Sequence, residues 1–376
     1  MMVTDAWTRP DNVLAHLPGD LLRRLTERYH PDLDSADVRD LTLSLIKQEL
    51  DWRFRRRADW DLLMARNEWF QSAAVMALER EPQLPERVAL FAHSYSALEI
   101  LRFAKSRGWT TVLGQIDPGE EHFKIVRRLA DAEPKYGPAP VGPPIEYFER
   151  WREECALADH IVVNSAWSRE AVMRAGVAGD KLQVLPLAYE DADQQAAQPH
   201  TYPERFSNER PLRLLFVGSV SVIKGAAQLV EAMALLRGRP VTLTLVGASG
   251  LEVPAAWANL ASVSLVGAVH RSAIAQYYAS SDVLMFPSHS DGFGMAQIEA
   301  RAAGLPIVAS PFCGRVVEDG VNGIVLPEVT APAIATVVRE LLRDPSRLAA
   351  FSYQAATVSA PGLAQLGAAL VRLVRT

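Results

Sequence analysis

At 376 residues and 49% hydrophobic side chains, the chain is too long for one typical core and apolar enough to fill two, which disfavours disorder. Thirty-nine basic against 44 acidic residues give a net charge of -5, so there is no broad electrostatic footprint for nucleic acid. Only Cys155 and Cys313 occur, which supports neither a disulfide framework nor a cysteine-based zinc site and fits a reducing compartment.

The first thirty residues lack an apolar signal core, and no run of about eighteen apolar residues follows, so a cytoplasmic protein is expected, with room for a peripheral membrane contact. Residues 1 to about 85 read as helices without a clear strand. Leu21, Leu22 and Leu25, then Val38, Leu41, Leu45 and Ile46, recur at helical spacing. From Val88 the pattern alternates: VALFA as a strand, SALEILRFAKS as a helix closed by Gly108, and TTVLG as the next strand. A Pro- and Gly-rich loop over 134–144 leads to a helix near Tyr147 to Ala158, the strand HIVVN, a helix near Ser168 to Ala175 and the strand KLQVLPL. Glu190 to Pro211 is polar, proline-bearing and unpatterned, and reads as an interdomain linker. The expected division is therefore a domain over 1–196, a second over 197–360 and a terminal helix over 361–376. The second series runs LRLLFVG, a helix from about Ala226 to Leu236, VTLTLVG, VSLVG and VLMFP. It is α/β and doubly wound, and ligands of such sheets bind outside the carboxyl ends of the strands, where Gly218, Gly247, Gly267 and the Asp291 loop lie. Leu363, Leu366, Leu370 and Leu373 form one stripe on a final helix expected to pack against a core.

The segment from Ser280 to Ser310 is the most informative. VLMF reads as a strand buried on both faces, Gly292 and Gly294 allow close approach, and an alanine-rich helix from Met295 follows. A helix start beside a strand end suits an anion such as diphosphate, and Glu299 leans back toward it while Asp291 approaches from the loop. The plainer readings are a solvated helix residue for Glu299 and a turn former for Asp291. Lys224 lies just before another helix, where it can flank a phosphate or be a solvated first-turn residue, and its spacing matches no Walker loop. The Asp-x-Asp pairs Asp32/Asp34, Asp59/Asp61 and Asp191/Asp193 sit at no strand end and read as surface pairs, so no metal is expected. His93 and His122, lone histidines near strand ends, read first as surface or hydrogen-bonded residues. Trp52, Trp60 and Trp69, with the Arg53 to Arg57 cluster, read first as packing aromatics beside a solvated charged face, and second as an acceptor platform or membrane-facing edge. No G-x-S-x-G elbow or Ser/His/Asp triad argues for an acyl hydrolase.

FVGSVSVIKG, VSLVGAVHRSAIAQYYASSDVLMFPS and SDGFGMAQIEARAAGLPIVAS, continued by PFCGRVVEDGVNGIVLP, resemble the retaining glycosyltransferases of the GT-B fold, family 4 or group 1. The likeness spans roughly Leu212 to Pro327, and IVVNSAWSREAVMRAGVAGDKLQVLPLAYE resembles the end of a first GT-B domain more loosely. The resemblance implies two Rossmann-like domains facing across a cleft, with an acceptor-side first domain that is partly abbreviated and helix-rich. It also implies retaining, metal-independent hexosyl transfer from a nucleoside diphosphate sugar to an acceptor hydroxyl, in bacterial-type glycan or glycoconjugate synthesis. That donor is a substrate, and no cofactor is implied. Lys224 would bind the diphosphate, Glu299 the ribose hydroxyls, and the Gly292–Phe293–Gly294–Met295 backbone the sugar and phosphates. Gly218 lines the same site, Val269 lies near the nucleobase, and Asp291, where the family usually has Glu, touches the transferred sugar.

Ser219 stands where the family often has Arg, with Arg271 or Arg315 as candidate compensators. The family histidine after TTVLG is replaced by GQIDPG, which makes Asp117 the candidate substitute. The family's opening strand and glycine-rich loop are not found, so either the first domain is rebuilt from helices or the sequence begins late relative to the family. These departures support two rivals, an inactive GT-B protein that binds a nucleotide sugar or a partner, and a GT-B nucleotide-sugar epimerase.

Overall fold

The computed structural model describes residues 1–9, 29–81, 87–138, 140–189, 198–251, 260, 262–357 and 362–375. They form two compact units, 1–114 with 143–161 and 115–142 with 162–376.

In the first unit, β1 (Met2–Thr4) pairs in parallel with β2 (Val38–Asp40). Val38 therefore lies in a strand, contrary to the helical expectation, because a three-residue strand is too short to show its own period in sequence. Helix Thr42–Phe54 starts just after it, where Asp40 Oδ1 accepts from Thr42 N at 3.2 Å. Leu21, Leu22 and Leu25 lie outside the described residues. Trp52 is buried and meets Trp69 edge-on at 6.0 Å, so these two rings are core, as their first reading has it.

β3 (Ala89–His93) pairs in parallel with β4 (Thr110–Gln115), in a four-stranded sheet of order β3-β4-β5-β6 that includes β5 (His160–Val163) and β6 (Leu182–Val184). Helix Leu98–Ser106 has no capping side chain of its own. Glu154 on helix Ile145–Leu157 replaces it, accepting from the N–H groups of Tyr95 (2.7 Å), Ala97 (2.8 Å) and Leu98 (3.1 Å). Tyr95, held at φ 72, also stacks on Tyr147 at 4.7 Å. Burial pushes the Glu154 carboxyl up to about 7, against the pull of those three donors. The folded value lies above the unfolded one, so this group's stability contribution is full below pH 4.5 and is lost as pH rises to about 7. Glu154→Ala is expected to cost about 2 to 3 kcal/mol in urea unfolding, because buried donors lose their acceptor. Glu154→Gln, which cannot ionise, is expected to abolish the decline across that pH window.

The second unit is built on six parallel strands: β7 (Leu212–Val217), β8 (Val241–Val246), β9 (Val263–Gly267), β10 (Val283–Phe286), β11 (Ile307–Ala309) and β12 (Gly323–Val325). Their order is β12-β11-β10-β7-β8-β9. Counted within the sheet from the β9 edge this is 3-2-1-4-5-6, the doubly wound arrangement, whose order reverses between β7 and β10. Every residue of β10 is buried, as an apolar run covered on both faces requires. One core cluster contains Leu214, Phe216, Val283 and Met285, and another contains Leu215, Leu284 and Phe286. Those sets alternate along each strand, which is the period-two signature of a sheet covered on both sides.

Residues 198–211 are part of this unit rather than a free linker: Phe206 is buried, and His200 N donates to Ser352 Oγ at 2.7 Å. Residues 190–197 lie outside the described residues. Helix Leu363–Leu373 forms where expected, but its stripe is only half-covered and none of its residues is buried. No described helix is long and apolar enough to cross a membrane.

Candidate functional site

Two loops meet where the sheet order reverses. Residues 218–225 leave the carboxyl end of β7 and enter helix Ala226–Leu235, while residues 287–294 leave β10 and enter helix Met295–Ala302. Gly225 has φ 72, and a Cβ there would lie 1.9 Å from the Pro287 carbonyl oxygen, so only glycine permits the approach. His289 N donates to Ile223 O at 2.8 Å, a second tie between the loops. Across this junction Lys224 Nζ meets Asp291 Oδ2 at 2.5 Å, both side chains remaining partly accessible. Asp291 Oδ1 also accepts from Phe293 N at 3.3 Å, which fixes the carboxylate on its own loop. Helix Met295–Ala302 begins at Gly294 (φ 88) without a side-chain cap, leaving first-turn N–H groups and the positive dipole end for an anion.

The segment after β4 reaches the same place. Asp117 Oδ1 accepts from Gly119 N (2.8 Å) and Gln115 Nε2 (3.0 Å), so this carboxylate shapes the turn into helix Glu120–Ala132. His122, on the first turn, places Nδ1 3.1 Å from Ser290 Oγ, beside Asp291. Burial is the largest influence on His122 and lowers its pKa. Asp117 and Asp291 oppose this, while Lys224 reinforces it. Trp167 Nε1 donates to Ser290 Oγ at 3.2 Å. An indole only donates, so the Ser290 hydroxyl is free to donate a hydrogen bond to His122 Nδ1, which corresponds to the tautomer with the imidazole proton on Nε2. Gly292 is confined by this segment and by the residue that follows β5: a Cβ would lie 2.9 Å from Ile116 O and 3.0 Å from Asn164 Nδ2. In sequence His122 reads first as a surface or hydrogen-bonded residue, because a lone histidine near a strand end carries no partner with it. The signal available was its place one turn into a helix that starts beside Asp117.

Glu299 lies on the second turn of its helix and accepts from Tyr278 OH at 2.8 Å. Burial, followed by the neighbouring Glu299 charge, raises the Tyr278 pKa, so the phenol stays a donor and holds Glu299 in one orientation. Nothing in the sequence singles out Tyr278. Tyr278→Phe removes this donor and leaves Glu299 without its phenol partner.

The neighbouring loop is tightly packed. Cys313 is buried and donates to Ser310 O at 3.1 Å, and burial pushes its thiol up to about 12. His289 is pushed down to about 4, first by burial and then by Arg128. As pH falls below 6.5 the unfolded state gains this proton before the folded state does, so stability is complete above pH 6.5 and declines toward about pH 4. At about 1.4 kcal/mol per pH unit the interval is worth about 3 kcal/mol. His289→Gln is expected to flatten that part of a urea-midpoint profile.

The remaining candidates are placed as follows. Gly218 (φ 141) and exposed Ser219 open the lysine loop, and Val269 lies partly buried beyond β9. Phe293 is buried and Met295 half-exposed. Arg271 and Arg315 are both exposed. Asp34 takes a hydrogen bond from Tyr29 and Asp61 pairs with Arg57, as surface residues do, while Asp191 and Asp193 lie outside the described residues. Among the described residues, no group of three or more His, Cys, Asp or Glu is arranged to hold a metal ion.

Residues 211–344 match the family described as glycosyl transferases group 1. A D-inositol 3-phosphate glycosyltransferase of Geodermatophilus obscurus is 33% identical over 53% of this chain and 50% of its own length. That of Kineococcus radiotolerans is 31% identical over 53% of this chain and 52% of its own. The chain thus spans about half the length of these curated relatives. Among solved structures, Anabaena HepE in complex with UDP superposes with a TM-score of 0.59 at 19% identity, covering 81% of this chain and 82% of HepE. Sucrose-phosphate synthase of Thermosynechococcus elongatus gives 0.63 at 21% identity, covering 85% and 80%. The fold is GT-B.

Proposed function

We propose that this GT-B chain, whose residues 211–344 match the group 1 glycosyltransferase family, transfers a hexose-type sugar from a nucleoside diphosphate sugar to an acceptor hydroxyl, with retention and without a metal. The observation that carries the reading is the Lys224–Asp291 pair at the sheet's reversal point, beside an uncapped helix start. Breaking the anomeric bond loads negative charge onto the departing diphosphate. An ammonium and oriented N–H groups already in place stabilise that charge where it develops. Lys224 therefore holds the diphosphate together with the backbone from Gly292 to Met295. Asp291, released from Lys224 when phosphate oxygens take the ammonium, turns to the sugar hydroxyls. Glu299 accepts from the ribose hydroxyls in the orientation that Tyr278 imposes. His122, neutral at pH 7 and carrying its proton on Nε2, donates to the sugar, while Asp117 keeps the loop beneath it in shape.

HepE has been solved with UDP-glucose, which supports a UDP-hexose as the first donor to try. Cys155 and Cys313 are both buried thiols outside any disulfide, in keeping with action in the cytosol. Incubation of purified protein with isotope-labelled UDP-, GDP- and ADP-sugars and an acceptor panel in EDTA tests the reading. Labelled glycoside with retained configuration is expected. Donor binding without hydrolysis or transfer would favour the inactive binding protein, and conversion of the sugar with free nucleoside diphosphate would favour the epimerase.

A further inference from the structure

The amino ends of the six-stranded sheet carry a second charged feature. A cavity of about 410 Å³ opens there, and its lining includes Arg205, Arg239, Arg339 and Arg343, with Glu204 and Phe206. Arg205 and Phe206 precede β7, Arg239 precedes β8, and Leu212 N donates to Pro240 O at 2.9 Å to hold those two approaches together. Arg339 and Arg343 come from the last turns of helix Ala331–Arg343. Arg339 Nη2 donates to Leu235 O at 3.0 Å, which fixes that guanidinium at the rim. Phe206 is buried and forms an apolar wall backed by Arg210, whose Cζ lies 5.6 Å from the ring centroid.

The charge state of this lining sets it apart. Arg210 and Arg213, at the same end of the sheet, both pair with buried Asp282, at 2.7 and 2.9 Å. Among the described residues, none of the four cavity arginines pairs with a carboxylate. Four guanidinium groups against the single carboxylate of Glu204, on a chain of net charge -5, leave a concavity with an excess of positive charge. Guanidinium forks match phosphate oxygens in pairs, and a cavity of this size admits a diphosphate or a nucleotide.

We propose that this cavity binds a multiply charged phosphate group, a second anion site distinct from the Lys224 site. It lies a full strand away: the six residues of β7 span about 20 Å between the two ends. The two sites can therefore be filled together.

The test is calorimetric titration of inorganic pyrophosphate, and in parallel of ATP, into full-length Lys224→Ala protein at constant ionic strength, so that the other diphosphate site is disabled. Saturable binding is expected. Adding Arg239→Gln and Arg343→Gln is expected to weaken it at least tenfold without changing the melting temperature measured free of anion. Equal affinity for both probes would assign the site to a free phosphate group, and tighter ATP binding would assign it to a nucleotide. If the combined variant fails to melt cooperatively, Arg205→Gln alone repeats the comparison and is expected to weaken binding at least threefold. No saturable binding of either probe, or affinity unchanged by the arginine substitutions, overturns the proposal.

Discussion

Lys224→Ala is expected to lower turnover of a UDP-hexose donor about a hundred- to a thousandfold, equivalent to about 3 to 4 kcal/mol at the transition state. The ammonium sits 2.5 Å from Asp291 and beside the uncapped start of helix Met295–Ala302, so the variant removes the cation that pairs with this carboxylate at the junction. It also leaves Asp291 without its partner, and an uncompensated carboxylate repels the diphosphate. KM is therefore expected to rise as kcat falls. Thermal stability should change little, since a partly accessible pair contributes about 1 kcal/mol or less. Lys224→Arg is expected to recover part of kcat, because charge is restored while the planar fork fits the short approach poorly. Steady-state release of UDP at saturating donor gives both constants. A kcat within threefold of wild type would remove Lys224 from the proposed role.

Gly225→Ala is expected to be strongly disruptive to the second unit. Its backbone has φ 72, which costs an alanine about 1 kcal/mol, and the new methyl would fall 1.9 Å from Pro287 O. Backbone cannot yield as a flexible side chain does, so overpacking adds about 1 to 3 kcal/mol or more. A loss of about 3 to 4 kcal/mol in urea unfolding is the expected result. Relief of the clash requires the two loops to separate, which pulls Lys224 away from Asp291, so donor affinity is expected to fall even where the protein remains folded. Gly238→Ala is the control. Gly238 also has positive φ, at 79, but nothing lies within 4 Å of its added Cβ, so only the backbone cost applies.

The contrast between these glycines shows which parts of the site were legible in sequence. Strand-loop-helix order placed Lys224, Asp291 and Glu299 at strand ends because apolar runs such as VLMF and flanking glycines report local structure directly. The reversal between β7 and β10, which makes that rim a site, is a long-range pairing that no local pattern carries. His122 and Tyr278 were missed for a related reason. Each acts through one partner distant in sequence, Ser290 for His122 and Glu299 for Tyr278, and a lone histidine or tyrosine has no spacing to betray it. Asp117 was legible as a loop carboxylate, but its bonds to Gln115 and Gly119 became visible only with the turn folded. In the first unit, the alternation from Val88 onward was readable, whereas β1 and β2 were hidden because three-residue strands leave no periodic trace.

Phosphorus NMR of EDTA-treated full-length protein with UDP-glucose tests the central claim most directly, since it reports on the diphosphate itself. Binding at the Lys224 rim is expected to shift and broaden both phosphorus resonances saturably, and Lys224→Ala is expected to abolish the change at the same concentrations. Spectra of the donor unaltered by wild-type protein, or altered equally by wild type and Lys224→Ala, would contradict it.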